Sequence, residues 1–263
     1  MSKTFEKAVK ILSLFNYEKP VWTLDEMAQE TNIPKPTLIR FLKSFTEVGF
    51  LRRPSHYVGS KLVLSDNYYL GYKLIELGVI ASSSLEVKNI ALPEMISLRD
   101  EFDVAVQLIC MDQLDGLYLE KVESTNPALL YTKVGRRAPL YAGACSRIIL
   151  AYQSNKLINE ILLGNLVKFA SGTLTTKNEL LNAIESSKKL GYAYSLSELA
   201  EGTVSLAVPI FNAEGKVLYS ISIAGIEANI PKSKIKEYLP RMWKAAAKIS
   251  KELGYSASYP YGQ

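Results

Sequence analysis

Apolar residues recur at helical spacing near the start of the chain: Phe5, Val9, Leu12 and Phe15 share one face, with Ala8 and Ile11 beside them. The YEKPVW stretch breaks that pattern at Pro20. Thr23 followed three residues later by Glu26 is a capping-box pattern, which predicts a short helix with Leu24, Met27 and Ala28 inward. A turn follows at NIPK. Pro36 suits the first position of a third helix, because its missing N–H has no helical partner there. Leu38, Phe41, Leu42, Phe45 and Val48 give this helix an apolar stripe, and Thr37, Arg40, Lys43 and Ser44 occupy its other face. Gly49 fits a left-handed cap at its end. Two short helices, a tight turn and a basic outer face make a helix-turn-helix, the second helix sized for the major groove of B-DNA. Phe50 to Arg53 and Tyr68 to Leu70 read as strands flanking a long wing at 54–67, in which KLVL adds strand of its own. Residues 71–84 turn helical again. Leu74, Ile75, Leu77 and Ile80 make that helix apolar on more than one face, so it expects cover from a domain or a second subunit.

The rest of the chain alternates differently. Val87, Ala91, Met95, Leu98 and Phe102 predict a helix kinked at Pro93. VAVQLICM and LYLEKV read as strands around a DQLDG turn, and LLYTKV as a third. SRIILAYQS and KLINEILLG read as helices. Thr176 and Glu179 form a second capping-box pattern, starting a helix that ends near Gly191. TVSLAVPIF and KVLYSISIAGI are strands around an NAEG turn. Ile235, Leu239, Met242, Ala246, Ile249 and Leu253 define a last helix, bent or split by Pro240, before a loose tail, SASYPYGQ. The expected class is α+β. Residues 1–70 form a winged helix-turn-helix, 71–84 a linker helix, 85–255 a domain with a mainly antiparallel sheet flanked by helices, and 256–263 a flexible tail.

Charge sharpens this division. The 263 residues hold 31 Lys and Arg against 26 Asp and Glu, a net charge of +5 that by itself says little. Between Ile33 and Leu64, however, stand Lys35, Arg40, Lys43, Arg52, Arg53 and Lys61 against Glu47 alone. That segment carries the whole excess and leaves the remainder balanced. A basic patch on a neutral body points to nucleic acid; a solvated basic face is the plain alternative.

Other chemistry is scarce. Two cysteines, Cys110 and Cys145, build neither a disulfide framework nor a zinc finger. The one histidine, His56, lies in the wing, so metal sites and histidine triads lack their parts. A nucleophilic Cys145 wants a base within hydrogen-bond reach and has no histidine in its own domain, so a buried inert thiol is the reading and no enzyme is expected. Cys110, in mid-strand, reads as core. No P-loop or dinucleotide fingerprint occurs, and no cofactor is implied. No run approaches the ~20 apolar residues of a membrane helix, and MSKTFEKAVK is unlike a signal peptide, so the expected address is the cytoplasm.

TLDEMAQETNIPKPTLIRFLKSFTEVGFL, YLGYKLIELG, VGRRAPLYAGACSRIILAY and LGYAYSLSELAEGTVSLAVPIFNAEGKVLYSISIAGIEA, in that order, resemble the IclR family of bacterial transcriptional regulators over nearly the whole chain. PLYAGAC and SISIAGIEA are especially like one branch of it, found in bacilli. The resemblance implies a winged helix-turn-helix and a GAF-like effector-binding domain. Its partners are a double-stranded DNA operator and a small carboxylate or sugar-acid effector, with assembly as a homodimer or a dimer of dimers. Repression is the expected sign; activation, or regulation without a ligand, is the alternative, and a cysteine-dependent enzyme domain a more distant one. For DNA it implies Lys35, Thr37 and Arg40 at base edges or phosphates, with Lys43, Ser44, Arg52, Arg53 and Lys61 around them. For the effector it implies Ala144, Cys145, Ser195, Ser205, Ser222 and Ala224, with Leu130 and Leu140 nearby. Glu198 falls in an acidic stretch of the family, where it accepts from a ligand hydroxyl or is simply a surface acid. Arg147 is a lesser candidate for pairing with an acid. The sequence departs from the family at Tyr141, where a histidine is common, at Ser146 and Arg147 in place of Gly-Lys, and in the longer wing.

Overall fold

The computed structural model describes residues 2–83, 85–125 and 132–262. The chain divides into two compact units, Met1–Ser84 and Leu85–Gln263, here the head and the body.

In the head, α1 (Lys3–Leu12) precedes β1 (Val21–Thr23), α2 (Leu24–Thr31) and α3 (Lys35–Glu47). Thr23 closes the capping box: its hydroxyl accepts from the Glu26 amide at 3.3 Å, and the Glu26 carboxylate accepts from the Thr23 amide at 2.8 Å. Asn32 ends α2 in the left-handed conformation. Pro34 caps α3, which places Pro36 second in the helix rather than first; its lost N–H is still one of the four without helical partners. Gly49 closes α3 at φ +77°, with the amide of Gly49 bonded to Thr46 O and that of Phe50 to Phe45 O, the double bond pattern of a Schellman motif. The next glycine is fixed by contact. A Cβ on Gly71 would lie 2.0 Å from the Gly49 carbonyl oxygen, so only glycine lets the chain start α4 (Tyr72–Ser83) there.

The head's sheet joins β1, β5 (Asn67–Leu70) and β2 (Leu51–Arg52) in that order, all antiparallel. Strand β1 was not foreseen: three residues are too few to show a period of two. The wing is a separate two-stranded hairpin, β3 (Ser55–Val58) with β4 (Lys61–Leu64). Ile11, Met27, Leu38, Leu42 and Leu51 fill the head's core with Trp22 and Tyr68. Helix α4 buries none of its residues within the chain.

The body is one antiparallel sheet of β6 (Ala105–Asp112), β7 (Asp115–Val122), β8 (Arg137–Pro139), β9 (Ala193–Leu196), β10 (Thr203–Phe211) and β11 (Val217–Ile226), ordered β8-β7-β6-β11-β10-β9. Helices α5 (Glu86–Phe102) and α9 (Ile235–Glu252) pack on it and on each other, and α6 (Ala144–Leu150) also lies on the sheet, with α8 (Lys177–Leu190) against it. Helix α7 (Asn155–Leu163) connects the last two. Cover on both sides explains why the central strands read as unbroken apolar runs. A finer alternation lies inside those runs. Leu206 and Val208 pair with Ile223 and Ile221, large side chains on one face; Ser205 and Ala207 pair with Ala224 and Ser222, small ones on the other.

Pro93 and Pro240 sit inside continuous helices, α5 and α9, so Pro240 does not split its helix. Three local expectations need correcting. The third strand is β8; of LLYTKV, 129–131 lie outside the described residues and 132–134 are not strand. Cys110 is only partly buried, because β6 emerges from the core after Ile109. The tail does not hang free. Tyr259 is buried and donates to Pro209 O at 2.7 Å, and Tyr261 donates to Lys188 O at 2.8 Å and stacks on Trp243, so aromatic area anchors what looked like a polar terminus.

Candidate functional sites

On the head, Thr37, Arg40 and Ser44 fall three and four residues apart on α3 and so share a face. With Thr4, Lys7 and Phe41 they line an open cleft of about 320 Å³ between α1 and α3. Arg40 is exposed and makes no ion pair among the described residues. Lys35 reaches Asp25 at 2.9 Å and Lys43 reaches Glu47 at 3.9 Å; both pairs are solvated and so hold their lysines weakly. Lys61 is exposed on the wing. Arg52 and Arg53 are instead built into the wing's root. The Arg52 guanidinium lies over the rings of Tyr69 and Tyr72, and its Nε is buried without a hydrogen-bond partner among the described residues. Arg53 Nε donates to Ser65 O at 2.8 Å, its guanidinium covers Tyr68, and Asp66 stands 3.7 Å away. On α3, Arg40 is thus a cation without an ion pair among the described residues, while the two wing arginines also hold a loop.

The body holds a narrow pocket under the N-terminal end of α6, of about 30 Å³, room for roughly one water. Its floor is the small-residue face of the sheet. Ser195, Ser205 and Ala224 sit side by side across β9, β10 and β11. The Ser195 and Ser205 hydroxyls are 2.7 Å apart, and Ser205 also accepts from the Ala144 amide at 3.3 Å. Cys145 and Glu198 complete the set of predicted residues in the wall. Ser222 stands one row further along, its hydroxyl 3.5 Å from both Cys145 Sγ and Gln107 Oε1. Leu140 is buried in the core and does not line the pocket; Leu130 lies outside the described residues.

Gln107, Tyr118, Thr132, Gly143, Leu199, Thr203 and Val204 also line it and were missed. Gln107 had a signal, as the one polar residue inside VAVQLICM. Its amide donates to Thr132 Oγ1 and its carbonyl faces Ser222 and Cys145. A buried amide at such a position needs partners, and the pocket supplies them.

Glu198 is neither a surface acid nor free. It is buried with Arg147, whose Nη1 donates to Oε1 at 2.7 Å and also to Oε2. Oε2 accepts from the Gly143 amide at 2.8 Å, and Arg147 Nη2 donates to Tyr194 O at 2.6 Å. A buried ion pair persists only with such additional bonds, because each ion has lost its water. Gly143 has φ +83°, which turns its amide into the pocket wall; a Cβ there would meet Leu199 at 3.0 Å. Tyr141 stands where the family often has histidine and donates to Val167 O at 3.1 Å.

Burial pushes the Cys145 thiol above its ordinary pKa, against weaker opposing hydrogen bonds from Ser222 and Tyr118. Among the described residues, the side chains that touch its sulfur, Gln107, Tyr118, Ser205 and Ser222, include no base at neutral pH. Among the described residues no group of His, Cys, Asp and Glu could hold a metal, and no helix is long and apolar enough to cross a membrane.

Comparison with known proteins covers both units. The IclR helix-turn-helix domain family matches residues 4–55, and the bacterial transcriptional regulator IclR C-terminal family matches residues 79–251. The HTH-type transcriptional regulator KipR of Bacillus subtilis is 39% identical over 97% of this chain and 98% of its own. The regulator KdgR of Escherichia coli is 28% identical over 97% and 94%. The crystal structure of Thermotoga maritima IclR superposes with a TM-score of 0.73 at 28% identity, over 96% of this chain and 99% of that one. An IclR homolog from Microbacterium hydrocarbonoxydans, complexed with 4-hydroxybenzoate, gives 0.80 at 22% identity, over 97% and 100%, a likeness of fold.

Proposed function

The chain belongs to the IclR family of bacterial transcriptional regulators, and from that premise we propose that it is a cytoplasmic repressor whose hold on its operator is set by a small organic or sugar acid in the body's pocket. DNA binding is the head's work. Arg40, at the centre of the exposed face of α3, takes a guanine edge, with Thr37 and Ser44 beside it and Lys35, Lys43 and Lys61 on phosphates. Two heads are needed to read adjacent major grooves, and the uncovered apolar surface of α4 supports a homodimer or a dimer of dimers.

The pocket is the observation that carries the effector reading. Its floor carries two hydroxyls, and its wall includes Gly143 and Glu198, the anion of the buried pair with Arg147. An acid placed there meets the Ser195 and Ser205 hydroxyls, and competes with Glu198 for Arg147 and for the Gly143 amide. At about 30 Å³ the pocket must open to admit any such ligand, so a ligand prefers the opened state and shifts the population toward it. The homolog crystallised with 4-hydroxybenzoate is a relative in fold with an acid bound. The test is a thermal-shift screen of carboxylic and sugar acids on the full chain, followed by release from DNA. The expected result is one acid class that raises the melting temperature and lowers DNA affinity, both effects lost in Ser205→Val. No stabilisation by any acid, or stabilisation unchanged in Ser205→Val, overturns the pocket assignment.

A further inference from the structure

The wing hairpin carries an apolar surface that nothing in the head covers. In an antiparallel pair, residues directly opposite each other share a face. Tyr57 is opposite Leu62, and Ser55 opposite Leu64. Tyr57 is 74% exposed, Leu62 61% and Leu64 57%, and all of β4 is exposed. An isolated two-stranded hairpin is marginal in water, and one with three large apolar side chains on its open face gains nothing from that face until something covers it. Its root is nevertheless held in a set direction. Ser65 donates from its amide to Pro54 O at 2.7 Å, closing the loop, and Arg53 bonds Ser65 O while lying over Tyr68. At the tip, Gly59 turns the chain at φ +62° beside Ser60 and Lys61.

Charge says what covers it. Residues 48–65 contain Arg52, Arg53 and Lys61 and no acid, and they continue the basic surface that begins on α3. A partner for an apolar blade with Lys61 exposed at its tip must be anionic outside and apolar within. Duplex DNA has that layering, phosphate around stacked bases. Proteins that enter the minor groove unstack a base step with an apolar wedge and hold the bend with nearby cations.

We propose that the long wing is a DNA-bending wedge: Tyr57 and Leu62 enter a base step from the minor groove beside the site read by α3, while Lys61 holds the flanking phosphate. A pyrimidine–purine step, the easiest to unstack, is the preferred target, so the wing adds sequence preference without base hydrogen bonds. The proposal rests on the DNA-binding reading of the head, and the experiment separates the two.

The probe is the duplex that the full-length wild-type chain selects from a randomised pool. Binding, bending by circular permutation and permanganate reactivity of thymines are measured on it for wild type, Tyr57→Ser/Leu62→Ser, Tyr57→Phe and Arg40→Ala. The wild-type complex is expected to bend the duplex by roughly 20–90° and to expose one reactive thymine step. The serine pair is expected to lose both, to bind roughly tenfold or more weakly, and to keep the preference at the step read by Arg40. Tyr57→Phe keeps the bend, which separates a wedge from a misfolded wing. Failure of wild type to select any sequence sinks the DNA reading itself. Selection of a sequence with a straight, fully stacked duplex sinks the wedge alone, as does a serine pair that bends DNA like wild type. If the serine pair changes the oligomer mass and leaves the DNA unaltered, the face belongs to a second copy and the wedge is wrong.

Discussion

The head and the body handle charge and apolar surface in opposite ways. In the head the cations of α3 stand in solvent, with Arg40 in no ion pair among the described residues and Lys35 and Lys43 in loose surface pairs, and large apolar side chains on α1, α4 and the wing are exposed. In the body the ion pair between Arg147 and Glu198 is buried with bonds to backbone on both sides, and the apolar strands are covered on both faces. A surface left unsatisfied inside the chain is addressed to something outside it. A polar group satisfied inside is addressed to the fold, or to a ligand able to compete for it. The head thus leaves cations and apolar side chains to a partner, while the body satisfies its buried ion pair within the fold, though Leu163 on α7 stays 76% exposed.

Breaking the buried pair gives the largest expected effect. Glu198→Ala leaves Arg147 buried without its anion and should cost about 3–5 kcal/mol of body stability. Denaturant unfolding followed by Trp243 fluorescence in a Trp22→Phe background reads it. Arg147→Met with Glu198→Leu should recover most of the loss, since packed apolar side chains need no counter-charge. A loss within about 0.5 kcal/mol for Glu198→Ala would show that the pair is solvated after all.

The next effect belongs to the head. Its core is small enough that Leu38→Ala, at a fully buried position, should cost about 2–5 kcal/mol and melt the head while the body's transition stays where it was. A single shared transition that moves as a whole would mean that the two units are not independent in stability.

Arg40→Ala should leave stability unchanged and act on recognition alone. Discrimination at one base pair should fall by about 1–3 kcal/mol, while Lys43→Ala weakens all sequences alike and lowers the salt slope by about one. An unchanged operator footprint in Arg40→Ala would remove that side chain from the base-reading set.

The smallest effects test the cap. Thr23→Ala should cost about 1 kcal/mol. Glu26 is held down to about 2, first by the Lys19 hydrogen bond, then by the Thr23 amide and hydroxyl. A carboxylate lowered by folding stabilises fully above its ordinary range and loses that contribution as pH falls through its folded value. The head should therefore weaken between the ordinary carboxylate range and about pH 2, and Lys19→Met should move that loss to higher pH. NMR titration of the Glu26 side chain checks both; a Glu26 that titrates unchanged in Lys19→Met would dismiss the lysine's part.

Local signals made much of the fold readable in advance. The capping box at Thr23, the glycine ending α3 and the helix-turn-helix stripe each depend on residues within a few positions of one another. At Thr176 the local signal was half right: the hydroxyl accepts from the Glu179 amide, but the Glu179 carboxylate returns to that hydroxyl and not to the backbone. Strand β1 and strand β8, three residues each, had no period to display. The pocket was legible only in part. Cys145, Ser195 and Ser205 came with the family resemblance, and Gln107 stood out unused as a polar residue in an apolar strand.

By itself the amino-acid sequence determined where helices begin and end, where the net charge lies and which family's order of blocks the chain follows, because each is carried by neighbouring residues or by a count. Only the tertiary structure decided which charges are free. Arg147 meets Glu198 across 51 positions, Arg53 turns onto Ser65 and Tyr68, and Arg40 meets no ion-pair partner among the described residues. Whether a cation is spent on the fold or left for a partner depends on what the chain's return path brings within hydrogen-bond distance. That is a property of packing, and no periodicity in the sequence records it.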